Sequence, residues 1–372
     1  MKPHFTKCQI CNTRKPIFSS YIGICPECIR QYPEKAVEFS HNSIENARSI
    51  WKLPKYVPSD ESGRKCHICA NECAIKTQEI GYCGLRRNVD GQLKNIVGKN
   101  QALLHTYLDP LPTNCCSTFF CPAGTSAGYP HISYCEKAEY GYYNLACFLY
   151  GCNFFCLGCQ NDQHRNLSTA ERYSFEKFTK KVEVNALISC ICWFGGSPEP
   201  QLPWALRASR KARSVVDDRI LRICWEWNGS GNPKLVQNAV KLSLESGGNA
   251  KFDLKYYSQI LSQIFSGVSN EQSFINFKEC FDKFYHQREE PVLNATTLLI
   301  PGYINDKEIG AIAQFLGELD ENIPYSMLVF HPDSFLSDLP ITPRQQVNNC
   351  FLEAKKYLKN VHIGNQHLLQ FS

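Results

Sequence analysis

From about Tyr142 onwards, the chain alternates between short apolar runs of strand length and longer mixed segments of helix length. Strands are expected at Asn144–Tyr150, Ala186–Phe194, Ile220–Trp225, Ala250–Leu254, Val292–Leu299, Tyr325–Phe330 and Val361–Ile363. Helices are expected at Ala170–Val184, Gln201–Asp217, Pro233–Ser246, Gln272–Tyr285, Asp306–Leu319 and Arg344–Leu358. Strands and helices that alternate at this spacing predict a parallel sheet covered by helices.

Six complete strand–helix units are too few to close an eight-stranded barrel. The sequence therefore predicts a partial (β/α)6 TIM-like barrel over residues 141–372, with its chemistry at the carboxyl ends of the strands. The preceding residues lack this alternation and predict two small units, 1–60 and 61–140, separated near the polar stretch Ser59–Arg64. The expected fold class is α/β, with a cysteine-rich metal-binding region at the N-terminus.

Cysteine is the anomaly in the composition, with 21 among 372 residues. The first residues contain no apolar signal-peptide core, and no stretch approaches the ~18 apolar residues of a membrane span. A secreted disulfide scaffold and a membrane partner are therefore not expected. We expect a cytoplasmic protein whose thiolates bind metals. The net charge of +5 is small for this length, so nucleic acid is not an expected partner.

The most tightly spaced cysteines lie in the sequence GCNFFCLGCQN, directly after a predicted strand. They are Cys152, Cys156 and Cys159, in the spacing C-x3-C-x2-C. Three thiolates on one short loop can hold three irons of a [4Fe–4S] cluster and leave the fourth iron free for another molecule. The alternatives are three structural cysteines, or a zinc site that is completed by Cys147 or His164.

Two groups of four cysteines precede the predicted barrel. The first forms two C-x2-C knuckles, which is the pattern of a zinc ribbon, with iron as the alternative metal: Cys8, Cys11, Cys25 and Cys28. The second is spaced C-x2-C-x3-C and ends in the sequence GYCG: Cys66, Cys69, Cys73 and Cys83. A mononuclear zinc or iron ion is expected in the second group, and an auxiliary iron–sulfur cluster is the alternative.

The loop at residues 151–161 resembles the cluster-binding motif of the radical S-adenosylmethionine (SAM) superfamily. Its tail, Cys159-Gln160-Asn161, is similar to the group that includes pyruvate formate-lyase activating enzyme. The resemblance implies that SAM binds the fourth iron and is cleaved to methionine and a 5′-deoxyadenosyl radical, which abstracts hydrogen from an unactivated C–H bond. It also implies an electron donor such as ferredoxin or flavodoxin. The chain departs from the group at Gly158, where members carry an aromatic residue that packs on adenine.

Residues at the ends of the next three predicted strands are similar to motifs that bind SAM, or a monovalent cation beside it, in this family. The motifs are CWFGGSPEP, WEWNG and KFDLK, and the glycines of the first let the backbone approach a ligand. The resemblance assigns SAM binding to Gly195, Gly196, Ser197, Pro198, Glu226, Asn228, Asp253 and Lys255. Charged groups at strand ends also form pairs that serve only stability, and this alternative stays open.

The segment Leu108–Pro130 is rich in turn-forming residues, yet apolar and aromatic, and we expect it to form a lid or substrate groove over the barrel mouth. Its LDPLPTNC stretch is similar to cobalamin-dependent radical SAM peptide (glutamine) C-methyltransferases that act on methyl-coenzyme M reductase. The resemblance implies post-translational C-methylation of a protein or peptide, with cobalamin as methyl carrier. The alternatives are an activase of a glycyl-radical enzyme and, in another class, a non-catalytic zinc-ribbon module that binds protein or nucleic acid.

Overall fold

The computed structural model describes residues 6–15, 17–113 and 115–371, so Asn114 of the LDPLPTNC stretch lies outside the described residues. The strands are β1 Thr6–Lys7, β2 Arg14–Lys15, β3 Arg64–Lys65, β4 Ala74–Ile75, β5 Arg86–Val89, β6 Gln92–Asn95, β7 Gln101–Pro110, β8 Tyr143–Leu149, β9 Glu171–Ser174, β10 Ile188–Gly195, β11 Arg222–Trp227, β12 Ala250–Asp253, β13 Leu293–Leu299, β14 Tyr325–Val329 and β15 Val361–Gly364. The α-helices are α1 Pro26–Gln31, α2 Pro33–Ile50, α3 Pro122–Thr125, α4 Phe175–Glu183, α5 Leu202–Ser214, α6 Pro233–Ser246, α7 Gln259–Ser266, α8 Glu271–Phe284, α9 Asp306–Leu319 and α10 Arg344–Ala354. Within these residues, no helix combines the length and the apolar character that crossing a membrane requires.

Nine strands form one sheet in the order β15-β14-β13-β12-β11-β10-β8-β7-β9. The strands from β15 to β8 run parallel, and helices lie in the connections between them. Strands β7 and β9 extend the sheet beyond β8 in antiparallel pairings. The sheet is open in its hydrogen bonding, because β15 and β9 are both edge strands. This architecture confirms the predicted α/β class with a cysteine-rich N-terminal region.

The predicted strands are all present within two residues of their expected ends, but one predicted helix begins too early. Residues Glu171–Ser174 form β9, which pairs with β7, and the helix starts only at Phe175. The Ser174 hydroxyl fixes this start, because it accepts a hydrogen bond from the backbone N–H of Lys177. The sequence analysis also missed α7 and the ten-residue strand β7, which lies in the predicted 61–140 unit yet belongs to the main sheet.

The two faces of the sheet differ in character, because side chains alternate along each strand. On the helix-covered face, Trp193, Trp225 and Trp227 stack in a row, with ring centroids 6.1 Å and 5.5 Å apart. Cys192 and Glu226 are the neighbours of these tryptophans on β10 and β11, and they point to the opposite face. We call the face to which Cys192 and Glu226 point the inner face. Polar and thiol groups therefore lie on the inner face, while the apolar core lies under the helices.

The segment between β7 and β8 packs against this inner face. The Ser117 hydroxyl accepts a hydrogen bond from the Asn294 amide on β13, at 3.0 Å. The Ser326 hydroxyl on β14 donates to the carbonyl of Cys116, at 2.8 Å. Farther along, an ion pair of Glu139 with Arg222 anchors the segment near the start of β11. Residues at the ends of β8 and of β10 to β14 line one cavity of about 300 Å³, so the inner face curves around this segment.

The ion pair of Glu139 and Arg222 is almost completely buried, with side-chain exposures of 0% and 1%. Burial alone would raise the pKa of Glu139, but hydrogen bonds and charge from the guanidinium more than offset this, and the pKa is lowered. Because the segment is held inside the curved face, it forms a floor beneath the strand ends. The apolar side chains of Leu111 and Ala123 are buried in a cluster with Cys190 of β10, and a lid or substrate groove stays a prediction for this segment.

Both N-terminal cysteine units dock on the sheet domain. In the first unit, the Ser20 hydroxyl donates to Asp338 at 2.7 Å. In the second unit, the Asn71 amide donates to the carbonyl of Asn153 at 2.7 Å. Asn153 lies within the C-x3-C-x2-C loop, so the second unit directly supports the loop that carries the predicted cluster ligands.

Candidate metal and cofactor site

The three cysteines of the predicted cluster loop line one cavity of about 300 Å³ at the carboxyl end of β8. The loop leaves the strand at Gly151, whose φ of +81° suits glycine. A side chain at this position would also meet Leu85, because an ideal Cβ lies 2.6 Å from its Cδ1 atom. The turn therefore requires glycine, and it turns the cysteine side chains of the loop into the cavity: Cys152, Cys156 and Cys159.

The spacing of these thiols distinguishes a cluster from a single ion. In a tetrahedral zinc site the Zn–S bonds are about 2.3 Å, which keeps the sulfurs close together, whereas a cubane spreads its thiolates over separate irons. Within the described part of the chain, the sulfurs of Cys152, Cys156 and Cys159 do not form a set that lies within 4.8 Å, alone or with Cys147 or His164. The described loop therefore does not have the closely gathered sulfurs of a single-ion site, and the [4Fe–4S] cluster stays a prediction for it.

Burial of the loop disfavours the thiolate form of its cysteines, which is the form that binds a metal. Burial raises the pKa of the Cys152 thiol, and it raises that of Cys159 to about 11. Without a metal these thiols stay protonated at neutral pH, so metal binding must release their protons. The Arg165 guanidinium fixes the loop from behind, because it donates to the carbonyl of Cys156 at 2.6 Å.

The paired glycines at the end of β10 lie against the cluster loop. An ideal Cβ on Gly196 would lie 2.2 Å from the carbonyl oxygen of Gly151 and 2.8 Å from Cγ of His164. Gly195 has a φ of +112°, a backbone conformation that residues with a side chain rarely adopt. Only glycines allow β10 to come this close to the loop, and both line the cavity, where their backbone is open to a ligand.

His164 is a buried residue of this site that the sequence analysis considered only as a zinc ligand. Burial lowers its pKa to about 3, so the imidazole is neutral at physiological pH. Its Nδ1 atom has no hydrogen-bond partner within the described residues, and its carbonyl accepts from the backbone N–H of Gly151. The residue thus packs between the cluster loop and Gly196.

Ser197 and Asn228 link the cluster loop to the ends of β10 and β11. The Asn228 amide donates to Asn153 at 2.8 Å and to the Ser197 hydroxyl at 3.1 Å. Ser197 and Asn228 line the cavity, whereas Pro198 is buried at the start of the turn that follows. The satisfied hydrogen bonds give both cavity-lining side chains a structural role besides the predicted contact with SAM.

Four charged side chains form a chain of contacts across the cavity. Lys251 lies 3.0 Å from Glu226 and 3.2 Å from Asp253, and Lys255 lies 2.9 Å from Asp253. Burial alone would lower the pKa of Lys255, but the Asp253 carboxylate more than offsets this, and the pKa is raised. The sequence analysis missed Lys251, although its position two residues before Asp253 on one strand indicates the same face.

Phe330 and Leu336, which follow β14, explain why this chain has Gly158 where members of the resembled group carry an aromatic residue. An ideal Cβ at this position would lie 2.9 Å from Cδ1 of Leu336 and 3.2 Å from Cε2 of Phe330. An aromatic side chain has no room there. Of the apolar residues in the loop, Phe154 lines the cavity, so it is the one placed to contact a bound ligand.

The first four-cysteine unit has the geometry of a single-ion site. Its sulfurs all lie within 4.8 Å of one another. The β1–β2 hairpin presents the first knuckle. The second spans the start of α1, with Cys25 at its N-cap and Cys28 in its first turn, and the N–H of Cys25 points to the sulfur of Cys8 at 3.4 Å. The arrangement suits tetrahedral zinc or iron. All cysteines of the chain lie in described residues and are free thiols, so the disulfide alternative finds no support.

The second four-cysteine unit is more open. Its cysteines line one small cavity, but their sulfurs are not a set within 4.8 Å in the described structure. Burial raises the pKa of the Cys73 thiol to about 12. Tyr82 also lines this cavity, and its ring lies 3.4 Å beneath the Arg48 guanidinium. The mononuclear ion and the auxiliary cluster both remain predictions for this unit.

Comparison with known proteins adds little to this geometry. No family model matches the sequence. An uncharacterised protein of Methanocaldococcus jannaschii is 25% identical over 330 residues, which cover 83% of this chain and 84% of the relative. Streptococcus suis SuiB bound to S-adenosylmethionine aligns with a TM-score of 0.42 and 12% identity, over 57% of this chain and 47% of that chain. A domain of pyruvate-formate lyase-activating enzyme from Bacteroides vulgatus aligns with a TM-score of 0.35 and 16% identity, over 47% of this chain and 98% of that domain. The chain thus spans about half the length of SuiB, and likenesses at this level do not establish a family.

Proposed function

We propose that this protein is a radical SAM enzyme that cleaves SAM reductively and modifies an unactivated C–H bond. The observation that carries the proposal is the group of three half-buried thiols on one short loop, which share a cavity with paired glycines and a network of charges. The spacing of the thiols suits a [4Fe–4S] cluster, and the sequence of the loop resembles the radical SAM motif. In this proposal the curved open sheet is the partial (β/α)6 barrel of that superfamily.

The residues around the cavity fit SAM. The cluster, when bound, supplies one electron to SAM, whose cleavage to methionine and a 5′-deoxyadenosyl radical starts the reaction. The exposed backbone at Gly195 and Gly196 leaves room for the methionine part of the molecule. The network from Glu226 to Lys255 offers both signs of charge to its amino and carboxylate groups. The buried loop residues behind the cysteines, such as Phe155, keep water from the cluster.

Reductive cleavage of SAM is the decisive test. The full chain is reconstituted anaerobically with iron and sulfide, mixed with SAM and a low-potential reductant, and assayed for 5′-deoxyadenosine and methionine by mass spectrometry. We expect both products in the wild type and neither in a variant with Cys152, Cys156 and Cys159 replaced by Ala. A wild-type protein that holds the cluster but forms no 5′-deoxyadenosine would favour the non-catalytic binding module.

We further propose that the C–H bond belongs to a protein or peptide, that the modification is C-methylation assisted by cobalamin, and that ferredoxin or flavodoxin is the electron donor. The support is the similarity of the LDPLPTNC stretch to known protein methyltransferases. The number of free thiols suits a reducing cytoplasm. Detection of a mass increase of one methylene on a candidate peptide would test the substrate class and the reaction together.

The interior of the protein does not fit cobalamin. The segment that contains the LDPLPTNC stretch is packed against the inner face, and the cavities beside it measure about 300 and 330 Å³. These volumes suit a molecule of SAM size and not a corrin in addition, so cobalamin would have to bind over the opening. Mixing the protein with hydroxocobalamin and desalting it tests this part. If no corrin absorbance survives and SAM cleavage proceeds, the glycyl-radical activase replaces the methyltransferase.

A further inference from the structure

A separate group of metal-binding side chains lies on the floor of the same cavity. Cys115, Cys116 and Glu226 each offer one ligand atom, and these atoms all lie within 4.8 Å of one another. The Cys115 thiol lies 2.9 Å from the Glu226 carboxylate, to which it donates a hydrogen bond. None of the three residues belongs to the cluster loop or to the four-cysteine units. We propose that they bind one thiophilic divalent metal ion of the zinc type.

Two independent elements hold these ligands in place. The two cysteines lie on the segment that fills the inner face, where Ser326 donates a hydrogen bond to the carbonyl of Cys116 at 2.8 Å. Glu226 lies on β11, where its second carboxylate oxygen is 3.0 Å from Nζ of Lys251. The ligand atoms therefore come together only because the segment folds into the sheet, and they are positioned before a metal arrives.

The donor set and the charges suit such an ion. Two thiolates and one carboxylate are ligands that zinc prefers, and three protein ligands leave one tetrahedral position open. The ion adds two positive charges to the three negative charges that Cys115, Cys116 and Glu226 carry when they bind it. Lys251 supplies one more positive charge, so the half-buried site becomes neutral. Cys192, at 3.7 Å from Glu226, does not join the set that lies within 4.8 Å.

The open position faces the reaction cavity, because all three ligands line it together with the cysteines of the cluster loop. An ion there can bind a thiolate, carboxylate or amide oxygen of a molecule in the cavity and hold it opposite the cluster loop. Binding of the metal itself does not depend on SAM cleavage. Glu226 also belongs to the charge network proposed to bind SAM, but metal content is measured without SAM, so a failure of the metal site can be told apart from a failure of the proposed function.

Zinc content of the full chain gives the first test. The protein is purified anaerobically with a reductant that contains no thiol, supplied with zinc, desalted, and analysed for zinc and iron by mass spectrometry. We expect a double variant, Cys115→Ser with Cys116→Ser, to hold one zinc per chain less than the wild type, with unchanged iron. Cys121→Ser is the matched control, since this half-buried thiol lies on the same segment but outside the ligand set.

Titration with cobalt(II) gives the second test, which does not require the double variant to fold normally. Glu226→Gln preserves the size of the side chain and removes a ligand charge. We expect this substitution to weaken cobalt binding at the site at least about tenfold, because even changes to groups that only contact the ligands cause losses of this size. Cobalt binding is followed by the thiolate-to-cobalt charge-transfer absorption. Equal zinc content in the wild type and the double variant, or unchanged cobalt affinity in Glu226→Gln, would overturn the proposal and leave a pair of hydrogen-bonded thiols.

Discussion

The first four-cysteine unit and the cluster loop use the same ligand in opposite ways. In the first, four sulfurs gather within 4.8 Å, which is the arrangement expected of a closed site for one ion. In the second, three sulfurs spread around a cavity of about 300 Å³ that also contains open backbone and charged groups. Cysteine spacing in the sequence therefore does not by itself distinguish a structural site from a reactive one. What separates them is whether the fold closes the site or leaves a position open.

The sharpest test of this contrast removes the cluster ligands. Replacement of Cys152, Cys156 and Cys159 by Ala is expected to remove about four irons per chain, as a cubane requires, and to abolish SAM cleavage. The folded structure and the metal of the first unit should persist, because its four sulfurs form a ligand set that includes none of these three cysteines. Metal analysis and circular dichroism check both parts. An unchanged iron content would show that these three cysteines do not hold an iron–sulfur cluster.

Removal of one ligand from the closed site is expected to act on stability and not on chemistry. Cys25→Ser should release the ion and destabilise the first unit by several kcal/mol, because in small units metal binding is folding energy. Calorimetry should then show an early unfolding transition, while SAM cleavage at lower temperature is largely retained. If SAM cleavage were lost in step with this metal, the first unit would have to be part of the reactive site.

A single methyl group at Gly196 tests how closely β10 supports the cluster loop. In Gly196→Ala the added Cβ must push away the carbonyl of Gly151 and the ring of His164, at a cost of about 1–3 kcal/mol. We expect lower iron occupancy and correspondingly slower SAM cleavage.

The matched control for this substitution is Gly310→Ala on helix α9. Its Cβ would meet only the flexible side chain of Glu353, at 3.0 Å. A Gly196→Ala variant with full iron content and weakened SAM affinity would instead show that the glycine serves SAM binding alone.

The smallest expected effect is a pH dependence that comes from His164. Its pKa of about 3 in the folded protein lies below the ordinary value near 6.5, so the unfolded chain binds the proton more readily. The contribution to stability is complete above about pH 6.5 and decreases as the pH falls towards 3, by about 1.4 kcal/mol per pH unit. Denaturant unfolding at pH 6.5 and 5.5 should show this loss in the apoprotein.

The difference between pH 6.5 and 5.5 should shrink in His164→Gln and stay unchanged in His331→Gln, whose imidazole is half exposed. The same slope in the wild type and His164→Gln would mean that His164 is not buried as a neutral group.

The sequence by itself predicted every strand of the parallel part of the sheet and the position of the cluster loop at a strand end. These features are local, since an apolar run and the C-x3-C-x2-C spacing each lie within about a dozen residues. The zinc-ribbon pattern of the first unit is equally local. The structure brings its four sulfurs together as the knuckle spacing indicates.

Only the tertiary structure decided where the segment between β7 and β8 lies and which groups share the cavity. Cys115 meets Glu226 of β11 across 111 positions of sequence, and Lys251 joins them from the neighbouring strand β12. The composition of the segment predicted order but could not say which surface it covers, because apolar groups bury wherever a complementary face exists. That face is created only when the parallel strands assemble and curve. The three cysteines predicted to bind the cluster lie close together in sequence, whereas the floor of the cavity forms by packing between distant parts of the chain.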